Sequence, residues 1–196
     1  MNSGLSSTYW DERYKESNTP WDIGYVSPPL QNYFHSIQNK SLRILVPGAG
    51  RAYEAIYLHQ QGFEQVWVCD WAKSSFRHLQ EQAPDFPEDH LLIGDFFDLD
   101  LEVDLIVEQT FFCALPRNRR RDYVEKMAQL LSVNGKLMGL LFAGEFPHAG
   151  PPFGGSESEY RDLLHSHFEI EQMNLAPDSI KPRLGRELFF IASKKD

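Results

Sequence analysis

Between residues 42 and 55 an apolar run, LRILVP, turns through Gly48, Ala49 and Gly50 straight into the helical pattern AYEA. Glycines at such a turn let the backbone bend sharply and approach a ligand with no Cβ in the way. The next two apolar runs end in carboxylates: Asp70, with Trp71 beside it, closes QVWVCD, and Asp95, followed by Phe96, closes HLLIGD. A carboxylate placed as Asp70 is, one strand beyond a glycine turn, can accept both hydroxyls of a ribose. It also suits the N-cap of a helix starting at Ala72. Asp95 can accept from the amino group of an adenine, with Phe96 as an apolar face beside the ring. A fourth run, VDLIVEQ, delivers Glu108 and Gln109 just ahead of Phe111 and Phe112. Glu108 is expected either at the floor of a cleft or as a buried, hydrogen-bonded structural group. In series, at successive strand ends, these residues describe a site for an adenosine-bearing cofactor.

The identity of that cofactor follows from what the glycine turn lacks. A dinucleotide fingerprint places a third small residue where this chain has Tyr53, and a P-loop requires Gly-Lys-Ser/Thr, which does not follow Gly50. S-adenosylmethionine carries no phosphate and needs close backbone approach without a phosphate cradle, so it is the expected ligand. A dinucleotide-dependent oxidoreductase and an S-adenosylmethionine-binding sensor without turnover are the alternative readings.

The elements that must position these residues alternate strand and helix. Strands are predicted at 42–47, 65–70, 90–95, 103–109 and 135–142, with helices at 52–62, 72–82 and 117–131. A Gly/Pro-rich loop, GEFPHAGPPFGG, then leads to a helix around SESEYRDLLHSH and two closing strands, FEIEQMNL and GRELFFIAS, near enough to pair antiparallel. This pattern predicts one α/β domain over residues 1–196. Its Rossmann-like sheet would have seven strands, mostly parallel with an antiparallel last strand, and helices on both faces.

Composition narrows the partners. The chain is 42% hydrophobic and carries a net charge of −9, which disfavours nucleic acid, whose binding depends on neutralising phosphates. No apolar run reaches the length of a membrane span, and the first twenty residues read as neither a signal nor a transit sequence. A cytoplasmic location without membrane attachment is therefore expected. Cys69 and Cys113 sit in apolar runs and outside any metal-ligand spacing, so buried free thiols and no metal site are expected. Arg117, Arg119, Arg120 and Arg121 open a helix and are expected to form a solvated face.

The motifs together resemble the thiopurine S-methyltransferase family, and within it the plant thiol, thiocyanate and halide methyltransferases. The resemblance rests on YWDERYKESNTPWD (9–22), ILVPGAGRAYEA (44–55), VCDWAKSS (68–75), GDFFDL (94–99), DLIVEQTFFCAL (104–115) and GPPF (150–153). It implies a class I S-adenosylmethionine-dependent methyltransferase, acting as a monomer on a small nucleophile. It also implies an N-terminal lid, within residues 1–40, whose Trp10, Tyr14 and Trp21 cover the cofactor. Gly48, Gly50, Asp70, Asp95 and Phe96 match the family's cofactor positions. Gln109 departs from the pattern, since thiopurine-methylating members carry an arginine there, and the Phe111–Ala114 run is closer to the thiol and halide branch. The expected substrate walls are Trp21, Gln109, Phe111, Phe112, Phe142 and Phe153. His148, Arg183 and Arg186 are candidates for assisting or attracting the nucleophile, with surface roles as the alternative.

Overall fold

The computed structural model describes residues 5–195. Seven strands form one sheet: β1 (Ile44–Pro47), β2 (Val66–Asp70), β3 (Leu91–Ile93), β4 (Val103–Gln109), β5 (Leu131–Phe142), β6 (Phe168–Leu175) and β7 (Glu187–Lys194). Their spatial order is β3-β2-β1-β4-β5-β7-β6, parallel from β3 through β5, with β7 inserted antiparallel between β5 and β6. The helices are α1 (Ser7–Lys15), α2 (Pro28–Ser36), α3 (Tyr53–Gln60), α4 (Arg77–Gln82), α5 (Arg120–Leu130) and α6 (Glu157–Leu164).

Successive side chains on a strand point to opposite faces, and here they feed two separate cores. On β1, Leu45 joins a core built on α5 and α6, with Tyr123, Met127, Tyr160 and Leu164. Its neighbours Ile44 and Val46 join the other core, with Leu30 and Phe34 of α2, Ile56 and Leu58 of α3, and Leu79 of α4. On β4, Ile106 and the pair Leu105 and Val107 divide in the same way. Helices therefore cover both faces, as the continuous apolar strands require.

Two departures from the sequence expectation have a clear local cause or consequence. The helix predicted over 72–82 opens as a 3-10 turn, Lys73–Phe76, before α4 begins. Ser75 Oγ donates to the Ala72 carbonyl at 2.7 Å and Ser74 bonds to Asp11, so serine side chains compete with the α-helical pattern. At the other place, β5 starts at Leu131, immediately after α5, rather than at 135. Leu131 pairs with Val103, and the ladder resumes at Lys136 opposite Leu105 after an irregularity in which Asn134 takes a left-handed φ of 61°.

The arginine run is not uniformly solvated. Arg120 is only 3% exposed. It meets Glu159 Oε1 at 2.5 Å, donates to the carbonyls of Phe153 (3.1 Å) and Gly154 (2.9 Å), and stacks on the Phe112 ring at 4.7 Å. Its planar fork thus ties α5 to the loop that follows β5. Replacing Arg120 with Ala leaves the Phe153 carbonyl without this donor and the Gly154 carbonyl with Arg117 alone, and is expected to cost about 3 kcal/mol. That corresponds to a melting temperature lower by roughly 6–12 °C. A thermal melt showing a drop under about 2 °C would remove this tie from the account.

Candidate functional site

The strand order reverses between β1 and β4, and in open α/β sheets the crevice at such a reversal is where ligands bind. The carboxyl ends of β1 to β5 open there on a cavity of about 880 Å³. Among its lining residues are Gly48, Ala49 and Gly50 after β1, Asp70 and Trp71 after β2, and Gly94, Asp95 and Phe96 after β3. Gln109, Thr110 and Phe111 follow from β4, and Phe142 from β5.

The glycine turn adopts left-handed φ at Gly48 (57°) and Gly50 (54°). A Cβ on Gly48 would lie 2.4 Å from the Phe111 ring, and one on Gly50 would lie 2.5 Å from the Tyr14 hydroxyl. Glycine is thus required twice over here, for dihedral angle and for clearance. The turn is bound to Asp70, whose carboxylate accepts from Gly50 N–H at 2.9 Å and from Ala72 N–H at 2.8 Å. Burial raises the Asp70 carboxyl to about 6 although these N–H groups oppose the shift. One side chain thus braces the turn and lines the cavity, while Ala72, not Asp70, is the N-cap of the 3-10 turn that follows.

Opposite the turn stands an aromatic roof. Trp21 meets Trp10 edge-on at 5.4 Å and Tyr14 at 6.0 Å, and the Arg13 guanidinium lies 4.9 Å from the Trp21 ring centre. Burial raises the Tyr14 hydroxyl well above its ordinary value. α1 is anchored at its middle, where Asp11 Oδ1 accepts from Ser74 N–H at 3.0 Å and from Ser74 Oγ at 2.6 Å. At the β3 end, Asp95 Oδ1 accepts from Phe97 N–H at 2.9 Å and caps the turn that carries Phe96. Phe96 packs edge-on against Phe111 at 5.2 Å.

Beyond Phe111, which packs against the glycine turn, the cavity is walled by Cys113, Phe142, Phe146, Pro151, Pro152 and Arg183. Phe142 and Phe146 meet edge-on at 5.1 Å, and Arg186 sits over Phe146 at 5.2 Å. His148 is exposed and stacks on Phe146. Arg183 is buried rather than superficial, 3.2 Å from Glu187. The Gln109 Oε1 atom is buried at the cavity wall without a hydrogen-bond partner. Both cysteines are free and buried, and burial raises Cys69 to about 12 and Cys113 further, which leaves neither a thiolate at neutral pH.

Three residues expected at the cavity stand behind its wall. Glu108 is fully buried, accepting from Phe112 N–H and Tyr123 Oη, each at 2.8 Å, and burial raises its carboxyl to about 7. It does not line the cavity, because side chains alternate along β4 and Glu108 points into the α5 side. Phe112 is likewise in the core, against Tyr123 and Tyr160. Phe153 braces the wall through its backbone, donating its N–H to the Cys113 carbonyl at 2.6 Å. The sequence reading also missed lining residues: Arg13, Asp22, Arg51, Arg119 and Phe146. Arg51, directly after Gly50, and Asp22, in Pro-Trp-Asp, were detectable by position. Arg119, over Phe97 at 4.0 Å, was not.

Comparison with known proteins agrees with this geometry. The family described as Thiopurine S-methyltransferase matches residues 5–190. A probable thiol methyltransferase 2 of Arabidopsis thaliana is 30% identical over 192 residues, covering 93% of this chain and 83% of that protein. A thiopurine S-methyltransferase of Acinetobacter baylyi is 29% identical, with coverage of 85% and 87%. The fold matches that of Burkholderia thailandensis 1,6-didemethyltoxoflavin-N1-methyltransferase, solved with S-adenosylhomocysteine bound. The TM-score is 0.79 at 19% identity, with coverage of 97% of this chain and 87% of that chain. With the glycine turn, Asp70 at the end of β2 and the inserted antiparallel strand all in place, the chain belongs to the thiopurine S-methyltransferase family and is an S-adenosylmethionine-dependent methyltransferase.

Proposed function

We propose that this enzyme methylates small soft nucleophiles, namely thiols, hydrosulfide, thiocyanate or halide ions. The observation that carries the reading is the two-part cavity. A glycine turn faces an aromatic roof, Phe111 packs against that turn, and an aromatic recess of Phe142 and Phe146 lines the same cavity. The Arabidopsis relative, a probable thiol methyltransferase, supports the same class. Gln109, in place of a cation, supports this class over thiopurines. The acidic net charge of −9 supports a small molecule over nucleic acid. Among the described residues no helix is long and apolar enough to cross a membrane. A sensor without turnover has no use for the second recess.

S-adenosylmethionine supplies an electrophilic methyl group on a cationic sulfonium. Gly48, Ala49 and Gly50 offer the bare backbone against which it fits. Asp70 and Trp71 would hold its ribose, and Asp95 and Phe96 its adenine; all four line the cavity. Trp10, Tyr14 and Trp21 form the lid, whose ring faces attract a cation by about 0.5–2 kcal/mol each. The phenylalanines of the recess exclude water and confine the nucleophile beside the methyl group. Alignment of this kind contributes roughly 7–11 kcal/mol in favourable cases. An anion already ionised needs no general base. A neutral thiol gives its proton to solvent, and His148 is among the residues that line the cavity.

The first test is calorimetric titration with S-adenosylmethionine, S-adenosylhomocysteine and NAD, followed by methylation assays with a small thiol, thiocyanate and iodide. Binding of the first two alone, with turnover of at least one nucleophile, is expected; no turnover with any of the three rejects the substrate class. Trp10→Ala and Trp21→Ala should each weaken cofactor binding by about 2- to 30-fold. If both leave affinity unchanged in a folded protein, these residues are not a lid. Ribose hydroxyls donate to the ionised Asp70 carboxylate, so protonation removes the acceptor. Cofactor affinity should be level above pH 7 and fall as pH drops through about 6. Asp70→Asn should flatten this profile, and an unaltered profile in that variant would assign the titration elsewhere.

A further inference from the structure

The roof is held from two sides at consecutive residues. Arg183, in the connection between β6 and β7, donates through Nη2 to the Trp21 carbonyl at 2.6 Å. Its Nη1 donates to Glu187 Oε1 at 3.2 Å, and Glu187 Oε2 accepts from Ser179 Oγ at 2.8 Å. Ser179, Arg183 and Glu187 are all buried, and the guanidinium lies 5.4 Å from the Phe142 ring centre. On the other side, Arg51 Nε is 2.6 Å from Asp22 Oδ2, a charge contact in which the N–H does not point at the oxygen. Asp22 also accepts from Gly24 N–H at 2.8 Å. The strap at residues 19–24 therefore has one anchor on the glycine turn and another on the substrate wall.

We propose that Arg183 is a positioning residue that latches the strap: through the Trp21 carbonyl it fixes the roof over the cofactor end and registers it against the Phe142 wall of the nucleophile recess. The proposal rests on the cofactor reading given above. The bond is a charge-assisted one made in a water-poor setting, where a guanidinium donor is worth more than a neutral one. Its acceptor is a backbone atom, so the strap's path depends on it rather than on the Trp21 ring alone. Arg13 stacks on the same ring and Tyr14 and Trp10 meet its edges. Releasing the carbonyl therefore loosens the whole roof without removing any ring from it.

The test uses the Arg183→Gln, Glu187→Gln double variant, which leaves no lone buried charge, and Arg183→Lys as the conservative replacement. Hydrogen exchange is measured on the ligand-free protein. Release of S-adenosylhomocysteine is measured by rapid mixing with tryptophan emission as the signal. In the double variant, release and exchange at the amides of Asp22 and Gly24 should each be roughly tenfold faster or more. Arg183→Lys should fall between this and the parent, and exchange in β5 should not change. Rates within about twofold of the parent at both readouts overturn the latch. Acceleration of β5 equal to that of the strap also overturns it, since the effect is then general loss of structure. If the parent protein binds no S-adenosylhomocysteine, the cofactor reading fails, and the exchange measurement still decides whether Arg183 holds the strap.

Discussion

The structure depends on one topological constraint: β1 and β4 are neighbours whose following segments leave in opposite directions. No chain can cross the gap between them at their carboxyl ends, so a crevice must form there. The glycine turn lies on one lip and the Gln109–Cys113 segment on the other. The two lips come so close that Gly48 has no room for a side chain against Phe111. The crevice is thus defined by the absence of a single Cβ as much as by any contact.

What keeps the second lip in place is a carboxylate out of reach of water. Glu108 spends one oxygen on the Phe112 N–H and the other on Tyr123, and thereby fixes the tight turn after β4 to α5. That turn includes Thr110 at a left-handed φ of 62°, a conformation unfavourable for a residue with a Cβ. The surrounding bonds hold it there. The loop after β5 is braced in the same manner, with Arg120 taking the carbonyls of Phe153 and Gly154. Polar groups in the core therefore set the shape of an apolar recess they never touch.

The parts of this architecture that were legible in the sequence are local. A β-branched run, two glycines and a helical pattern follow one another within fourteen residues of chain, so the turn after β1 could be read without knowing its surroundings. Asp70 and Asp95 were legible for the same reason, each ending a strand. The β6–β7 pair declared itself through its period and its short connection. Glu108 and Phe112 were misplaced because position at a strand end does not fix which face a side chain takes. Phe153 was misplaced because its contribution is made by the backbone. The burial of Arg120 and Arg183 was invisible because the carbonyls they hold, those of Phe153, Gly154 and Trp21, lie far along the chain, and four arginines in five positions read as surface by composition alone. The 3-10 turn at Lys73–Phe76 follows from a bond between Ser74 and Asp11, which no local window contains.

The bond between Arg183 and the Trp21 carbonyl spans 162 residues of chain. During synthesis the sheet can begin to assemble from its adjacent parallel strands long before Arg183 has left the ribosome, but the roof over the crevice cannot be secured until then. A nascent chain can therefore acquire the glycine turn, the acids that face it and much of both cores while its crevice is still open on the Trp21 side. Completion of the site coincides with arrival of the β6–β7 hairpin, so the polypeptide becomes competent to enclose a ligand only once that hairpin has been made.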